Sequence, residues 1–183
     1  MLRHGHEEAT CKTAQYLCFT LRSEGFALEI AKVREVLDVT TLTKIPRMPD
    51  YLSGVINLRG SVVRVMDLGQ KLGMDAIVRG KNTCIMIVEM ESGGSLVEIG
   101  LLTDEVLMVL DFAEEEIEAV PRMGTRLDTQ FIQGMGRIEG EKFLILLDID
   151  RVLAESGEIV LVALPENAPS EGTAPAAGEE AYL

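Results

Sequence analysis

The heptapeptide VREVLDV (33–39) is answered by VLMVLDF (106–112): both read V-x-x-V-L-D plus one apolar residue, 73 positions apart. Such short β-branched phrases read as strands. The echo extends in both directions. Upstream, YLCFTL (16–21) passes through RSEG to FALEI (26–30), and CIMIVEM (84–90) passes through ESGG to LVEIGLL (96–102). Each reads as strand, Gly-bearing turn, strand, the pattern of a hairpin. Leu28-Glu29-Ile30 and Val97-Glu98-Ile99 align at a lag of 69. Downstream, IPRM (45–48) matches VPRM (120–123) at 75, and GVINLRG (54–60) matches GMGRIEG (134–140) at 80. VVRVMDL (62–68) and FLILLDI (143–149) close the copies at 81. A lag that only grows is what loop insertions in the second copy produce.

The fold unit therefore occurs twice. A unit of 70–80 residues buries little surface by itself. A short sheet also has open edges, which closure into a barrel removes. The expected fold is mainly β: two small barrels of four or five strands packed side by side. The first spans about 14–80 and the second about 81–154, with the termini free to cross over. Short helices are expected at PDYLSG (49–54), DLGQKL (67–72) and 148–154. In the first, Pro49 suits the opening turn and Gly54 the C-terminal cap.

Composition narrows the function classes. The 183 residues are 47% hydrophobic and carry a formal charge of −13. An acidic chain without a Lys/Arg cluster is a poor ligand for nucleic acid or anionic lipid. No stretch supplies the ~20 apolar residues of a membrane helix, and the N-terminus has no apolar signal region. Cys18 and Cys84 sit inside apolar runs and read as buried thiols, and with Cys11 they make an odd, irregular set. That predicts a reducing cytoplasm without a disulfide framework. Residues 1–13 read as flexible, and 155–183, rich from Pro165 in Pro, Ala, Gly and Glu, as a disordered tail.

Comparing the copies separates scaffold from contact residues. Gly54 and Gly60 recur as Gly134 and Gly140, positions that need backbone freedom. Between them, Asn57 becomes Arg137 and Arg59 becomes Glu139. A barrel that needed arginine there would keep it in both copies, so Arg59 is a candidate contact residue.

The string KVREVLDVTTLTKIPRMPDYLSGVINLRGSVVRVMDL (32–68) resembles the signature region of the CheW-type chemotaxis coupling proteins. VEIGLLTDEVLMVLDF (97–112) and GMGRIEGEKFLILLDIDRVL (134–153) are similar to that family's second half. The resemblance covers about residues 14–154. It implies two tandem SH3-like five-stranded β-barrel subdomains and a non-catalytic role. Such proteins bridge chemoreceptors to the histidine kinase CheA, the receptor's helical tip docking between the subdomains. By residue type, the family's receptor-contact pattern falls here on Val33, Glu35, Gly54, Arg59, Cys84, Gly100, Val106 and Val109. An apolar groove with one arginine suits an amphipathic helix, with Glu35 holding Arg59 in its rotamer. The resemblance further implies pairing with the kinase regulatory domain, and with other CheW-like subunits in rings, around 117–123, with Glu118 and Met123 as contacts. Glu118 stands where relatives can carry a basic residue. Arg64 stands where they commonly have proline, and reads either as a solvated arginine or as the mark of an altered partner.

Enzymatic signatures are weak. His4, His6 and Cys11 are too few for a four-ligand zinc site, and nucleophile-elbow and phosphate-loop motifs are absent from the sequence. Asp104, Asp111 and Glu114–Glu116 read as a solvated acidic face. No catalytic residue, metal or cofactor is expected. The alternatives are a coupling subunit of a non-flagellar chemosensory pathway governing pili or development, and a small metal-dependent enzyme using the N-terminal His/Cys segment.

Overall fold

The computed structural model describes residues 12–92, 94–120, 127–138 and 142–154. The first half contributes β1 (Thr13–Leu21), β2 (Glu24–Glu29), β3 (Val33–Asp38), β4 (Leu52–Leu58), β5 (Ser61–Asp67) and α1 (Leu68–Lys71). The second contributes β6 (Cys84–Ser92), β7 (Ser95–Thr103), β8 (Glu105–Ala113), the two-residue β9 (Ile117–Glu118), β10 (Ile132–Ile138), β11 (Lys142–Leu147) and α2 (Ile149–Ala154).

These strands form two sheets, ordered β8-β1-β2-β11-β10-β9 and β3-β6-β7-β5-β4. Under the repeat, β6–β7 is the second copy of hairpin β1–β2. Each sheet thus takes its central hairpin from the other copy, and a division at residue 80 does not follow sheet membership. The exchange has a packing reason. On β1, Leu17, Phe19 and Leu21 enter the large core cluster that includes β5, β6 and β7, while Tyr16 and Cys18 enter a second cluster within their own sheet. Both faces of the hairpin are covered, so YLCFTL is apolar almost throughout.

Both sheets curl. Laid flat, β3 and β4 would stand about 19 Å apart, four strand spacings. Yet Arg59, at the end of β4, reaches Glu35 on β3 with Nη2–Oε2 at 2.9 Å. In the other sheet, a Cβ on Gly136 of β10 would lie 2.8 Å from the Phe112 ring on β8, again across four spacings. That contact leaves room only for glycine.

The repeat holds down to its irregularities. The β3–β6 ladder shifts register at Arg34 and the β8–β1 ladder at Leu107, equivalent residues. The β4–β5 and β10–β11 ladders shift at Ser53 and Gln133, again equivalent. One alignment moves. Leu28 pairs with Leu17, whereas Met86, the equivalent of Leu17, pairs with Leu101 rather than Val97. The lag therefore changes from 69 to 73 inside the hairpin, because each arm of β6–β7 is two residues longer. Two is the side-chain period of a strand, so the inward faces are preserved.

Two local expectations change. No helix forms at 49–54: Leu52 N donates to the Pro49 carbonyl at 2.9 Å, and the chain enters β4. Pairing of Val55 with Thr43, N–O 2.9 and 3.0 Å, outweighs the isolated helical turn. The β1–β2 turn is Arg22–Ser23, at φ 51° and 70°, and Gly25 lies instead within β2.

The aspartates that close each copy cap the short helices. Asp67, 3% exposed, accepts from Gln70 N at 3.0 Å and Ile77 N at 2.9 Å. Asp148 accepts from Arg151 N at 3.1 Å. Asp67→Ala is expected to orphan two amides and cost about 2 kcal/mol, read as a lower urea midpoint at unchanged slope.

Candidate functional site

The candidate residues fall on a lattice set by strand register. Glu35 pairs with Ile87, Ile87 with Gly100, Gly100 with Val65, and Val65 with Gly54. Three of the eight therefore lie in one row across the sheet, and Cys84 opposes Asp38 farther along β6. The equivalent row in the other sheet is Met108, Cys18, Ala27, Leu146 and Gly134. Methionine stands there in place of Glu35, so the charged end of the row is built once.

The row divides into scaffold and surface. A Cβ on Gly54 would lie 2.5 Å from the Thr43 carbonyl oxygen, and its φ is +142°. A Cβ on Gly100 would lie 2.8 Å from Ile85 Cγ2 and 3.1 Å from Val65 Cγ2. Cys84 is buried with its Sγ 3.3 Å from Thr103 Oγ1. These three shape the barrel from within. Val33 and Val106 are half-buried and pack on the same large core cluster, which places the two repeat-related valines at the rim of one core. Val109 is exposed.

Arg59 and Glu35 form the polar element. The β4–β5 loop has two residues, Arg59 and Gly60, with φ 52° and 92°. Left-handed backbone at both positions is a type I′ turn, which Asn-Gly favours and arginine does not. The Asn57 side chain secures it, accepting from Gly60 N at 2.9 Å. Arg59 is 72% exposed, whereas Glu35 is 20% exposed, with Oε2 on the guanidinium and Oε1 buried without a hydrogen-bond partner. An exposed pair of this kind stabilises by ~0–1 kcal/mol, less than the strain of holding a non-glycine residue left-handed. Stability therefore does not explain arginine here. Arg59→Asn is expected to raise stability by about 1 kcal/mol, seen as a Tm higher by about 3 °C.

On the other sheet, Glu118 lies on β9, exposed, and accepts from Arg137 Nη2. Arg137 occupies the Asn57 position, so the second copy has an arginine–glutamate pair on different elements. Met123, His4, His6, Cys11 and the tail lie outside the described residues, where nothing is assigned to them. Arg64 is not a solvated strand arginine: it is 9% exposed, and burial lowers its pKa from the usual guanidinium range. Cys18 is buried and its thiol pKa is raised by that burial. Among the described residues, no group of three or more His, Cys, Asp or Glu side chains could hold a metal, and no helix is long and apolar enough to cross a membrane.

Sequence reasoning passed over Leu107 and Met108. They are 47% and 56% exposed, between Val106 and Val109. The signal was present in the repeat: they stand where the first copy has Arg34 and Glu35.

Residues 15–157 match the family model for the CheW-like domain. The chain is 34% identical over 148 residues to the chemotaxis protein CheW of Klebsiella aerogenes, covering 81% of this chain and 86% of that protein. It is 30% identical over 138 residues to CheW of Rhizobium meliloti, covering 75% and 86%. The scaffolding protein TtCheW from Thermoanaerobacter tengcongensis, known as a crystal structure, superposes with a TM-score of 0.69 at 32% identity, covering 78% of this chain and 93% of that one. With paired sheets, repeated bulges and a matching family model across 15–157, this chain belongs to the CheW-like domain family.

Proposed function

We propose that the chain is a non-catalytic adaptor that couples chemoreceptors to a CheA-type histidine kinase. The observation that carries this reading is Arg59: a solvent-facing guanidinium on a strained turn, oriented by Glu35 on the opposite edge of a curled sheet. A charged group held in one place at a fold cost is a recognition element rather than a structural one.

The receptor's helical tip would lie across Val33, Val106 and Val109, with Arg59 setting register on a carboxylate or a carbonyl at a helix end. Gly54, Gly100 and Cys84 act at one remove, by shaping the sheet beneath. The kinase regulatory domain, or a further CheW-like subunit in a ring, would meet the opposite sheet near β9 and Glu118. Holding both partners together lets receptor conformation bias the kinase. The printed names of the relatives, chemotaxis proteins and a scaffold, support this class of function. A role at cytoplasmic arrays beneath the membrane follows from the same reading.

Titration of the full chain with a receptor cytoplasmic fragment and with a kinase regulatory domain tests the proposal. Simultaneous binding of both is expected; binding of neither would refute it. Glu35→Ala removes the brace but leaves the guanidinium. It is expected to weaken receptor binding about 5-fold to 10-fold, of the order of 1 kcal/mol, with thermal unfolding nearly unchanged. Unchanged affinity in that variant would remove Glu35 from the site.

A further inference from the structure

The second copy carries a surface cluster that the first copy lacks. Glu118, Arg137 and Phe143 stand where the first copy has Thr43, Asn57 and Val62. Strand register makes the equivalence geometric. Thr43 bridges Val55 as Glu118 pairs with Met135, and Asn57 opposes Val62 as Arg137 opposes Phe143. A Cβ on Gly54 would meet the Thr43 carbonyl oxygen, and one on Gly134 would lie 3.0 Å from that of Glu118. The same backbone frame thus bears small side chains in one sheet and a glutamate–arginine–phenylalanine trio in the other.

The trio is internally ordered. Glu118 accepts from Arg137 Nη2, and Arg137 Cζ lies 5.6 Å from the centroid of the Phe143 ring. All three side chains reach solvent. Of the five phenylalanines, Phe19, Phe26, Phe112 and Phe131 are buried, whereas Phe143 is 39% exposed. Folding does not call for this arrangement. Threonine, asparagine and valine serve the same ladders in the first copy. Exposed ion pairs and exposed cation–π contacts add little stability, and an exposed ring leaves apolar surface in water. Arginine and aromatic side chains are the usual anchors of protein interfaces. Side chains already fixed in place lose little freedom when they bind.

We propose that Phe143, held by Arg137 and Glu118, is the anchor by which this chain grips the regulatory domain of its kinase. The ring enters an aliphatic pocket. Guanidinium N–H groups that Glu118 does not use donate to a carboxylate or carbonyl at the rim of that pocket. This inference deepens the adaptor reading and rests on it. The trio continues the surface at β9 which that reading gives to the kinase, and it lies on the other sheet from Arg59. A second copy suits the patch less well, because two chains that each carry a net charge of −13 repel. Each copy of the repeat then bears one binding element that the other lacks: Glu35–Arg59 for the receptor, and this trio for the kinase.

The full chain carrying R137N/F143V tests the assignment. Both replacements are the residues that the first copy holds at the same register, so the thermal transition is expected to stay as in wild type. Calorimetric titration with the kinase regulatory domain is expected to show affinity lower by about 50-fold, with affinity for a receptor cytoplasmic fragment unchanged. Equal kinase affinity in variant and wild type would overturn this inference alone. No kinase binding by the wild type would overturn it together with the adaptor reading. A collapsed thermal transition, with both partners lost, would make the trio structural. A concentration-dependent dimer of the wild type that the variant does not form would assign the patch to a second copy instead.

Discussion

Arg59→Glu is expected to lower affinity for a receptor cytoplasmic fragment about 100-fold, roughly 2.7 kcal/mol. Two effects act together. The guanidinium that would meet the receptor is lost, and a second carboxylate is brought beside Glu35, whose side chain is 20% exposed and has one oxygen already unpartnered. Like charges at this range disfavour the geometry that the pair now maintains. The fold should tolerate the change, because the side chain is 72% exposed on a two-residue turn. Binding to the kinase regulatory domain should persist, since Glu118 lies on the other sheet. Calorimetric titration of each partner reads both outcomes. Full receptor affinity in the variant would remove Arg59 from the interface. Loss of both partners with a collapsed thermal transition would make it structural.

Gly54→Ala is expected to be the more damaging change to the fold, by about 3–4 kcal/mol. A methyl group there would meet the Thr43 carbonyl at 2.5 Å on a backbone with φ +142°. That oxygen is fixed by the bridge to Val55, so relief requires breaking the bridge, moving the β4 bulge, or both. For a chain of this size the Tm should fall by about 10 °C. Receptor and kinase binding should then fail together on warming and recover together on cooling. That pattern separates Gly54 from Arg59: a scaffold position loses everything with the fold, whereas a contact position loses one partner with the fold intact.

Part of the candidate site is legible in the sequence. The Asn57/Arg137 and Arg59/Glu139 differences single out Arg59 against a repeated background; the family pattern supplies Glu35 as a position, and the bond between the two is seen in the fold. Gly54, Gly100 and Cys84 belong to that pattern too, yet the structure places them inside the sheet. A sequence motif records which residues a site needs and does not distinguish a surface from the packing that shapes it. Leu107 and Met108 were missed because an apolar residue on a strand is ordinarily core. Only its neighbours in space reveal it as exposed.

The chain by itself determined that one strand pattern occurs twice, that the protein is mainly β, that an aspartate ends each copy, and that the polar pair belongs to one copy only. All of these are local: they follow from side-chain period, cap chemistry and direct comparison of two phrases. Tertiary structure alone decided that the copies exchange their central hairpins, that bulges fall at Arg34 and Leu107, and that the helix expected at Pro49 yields to a bridge with Thr43. The reason is that every backbone in a sheet offers the same hydrogen bonds. The choice among partners is made by which faces can be buried together, and that depends on residues far apart in the chain.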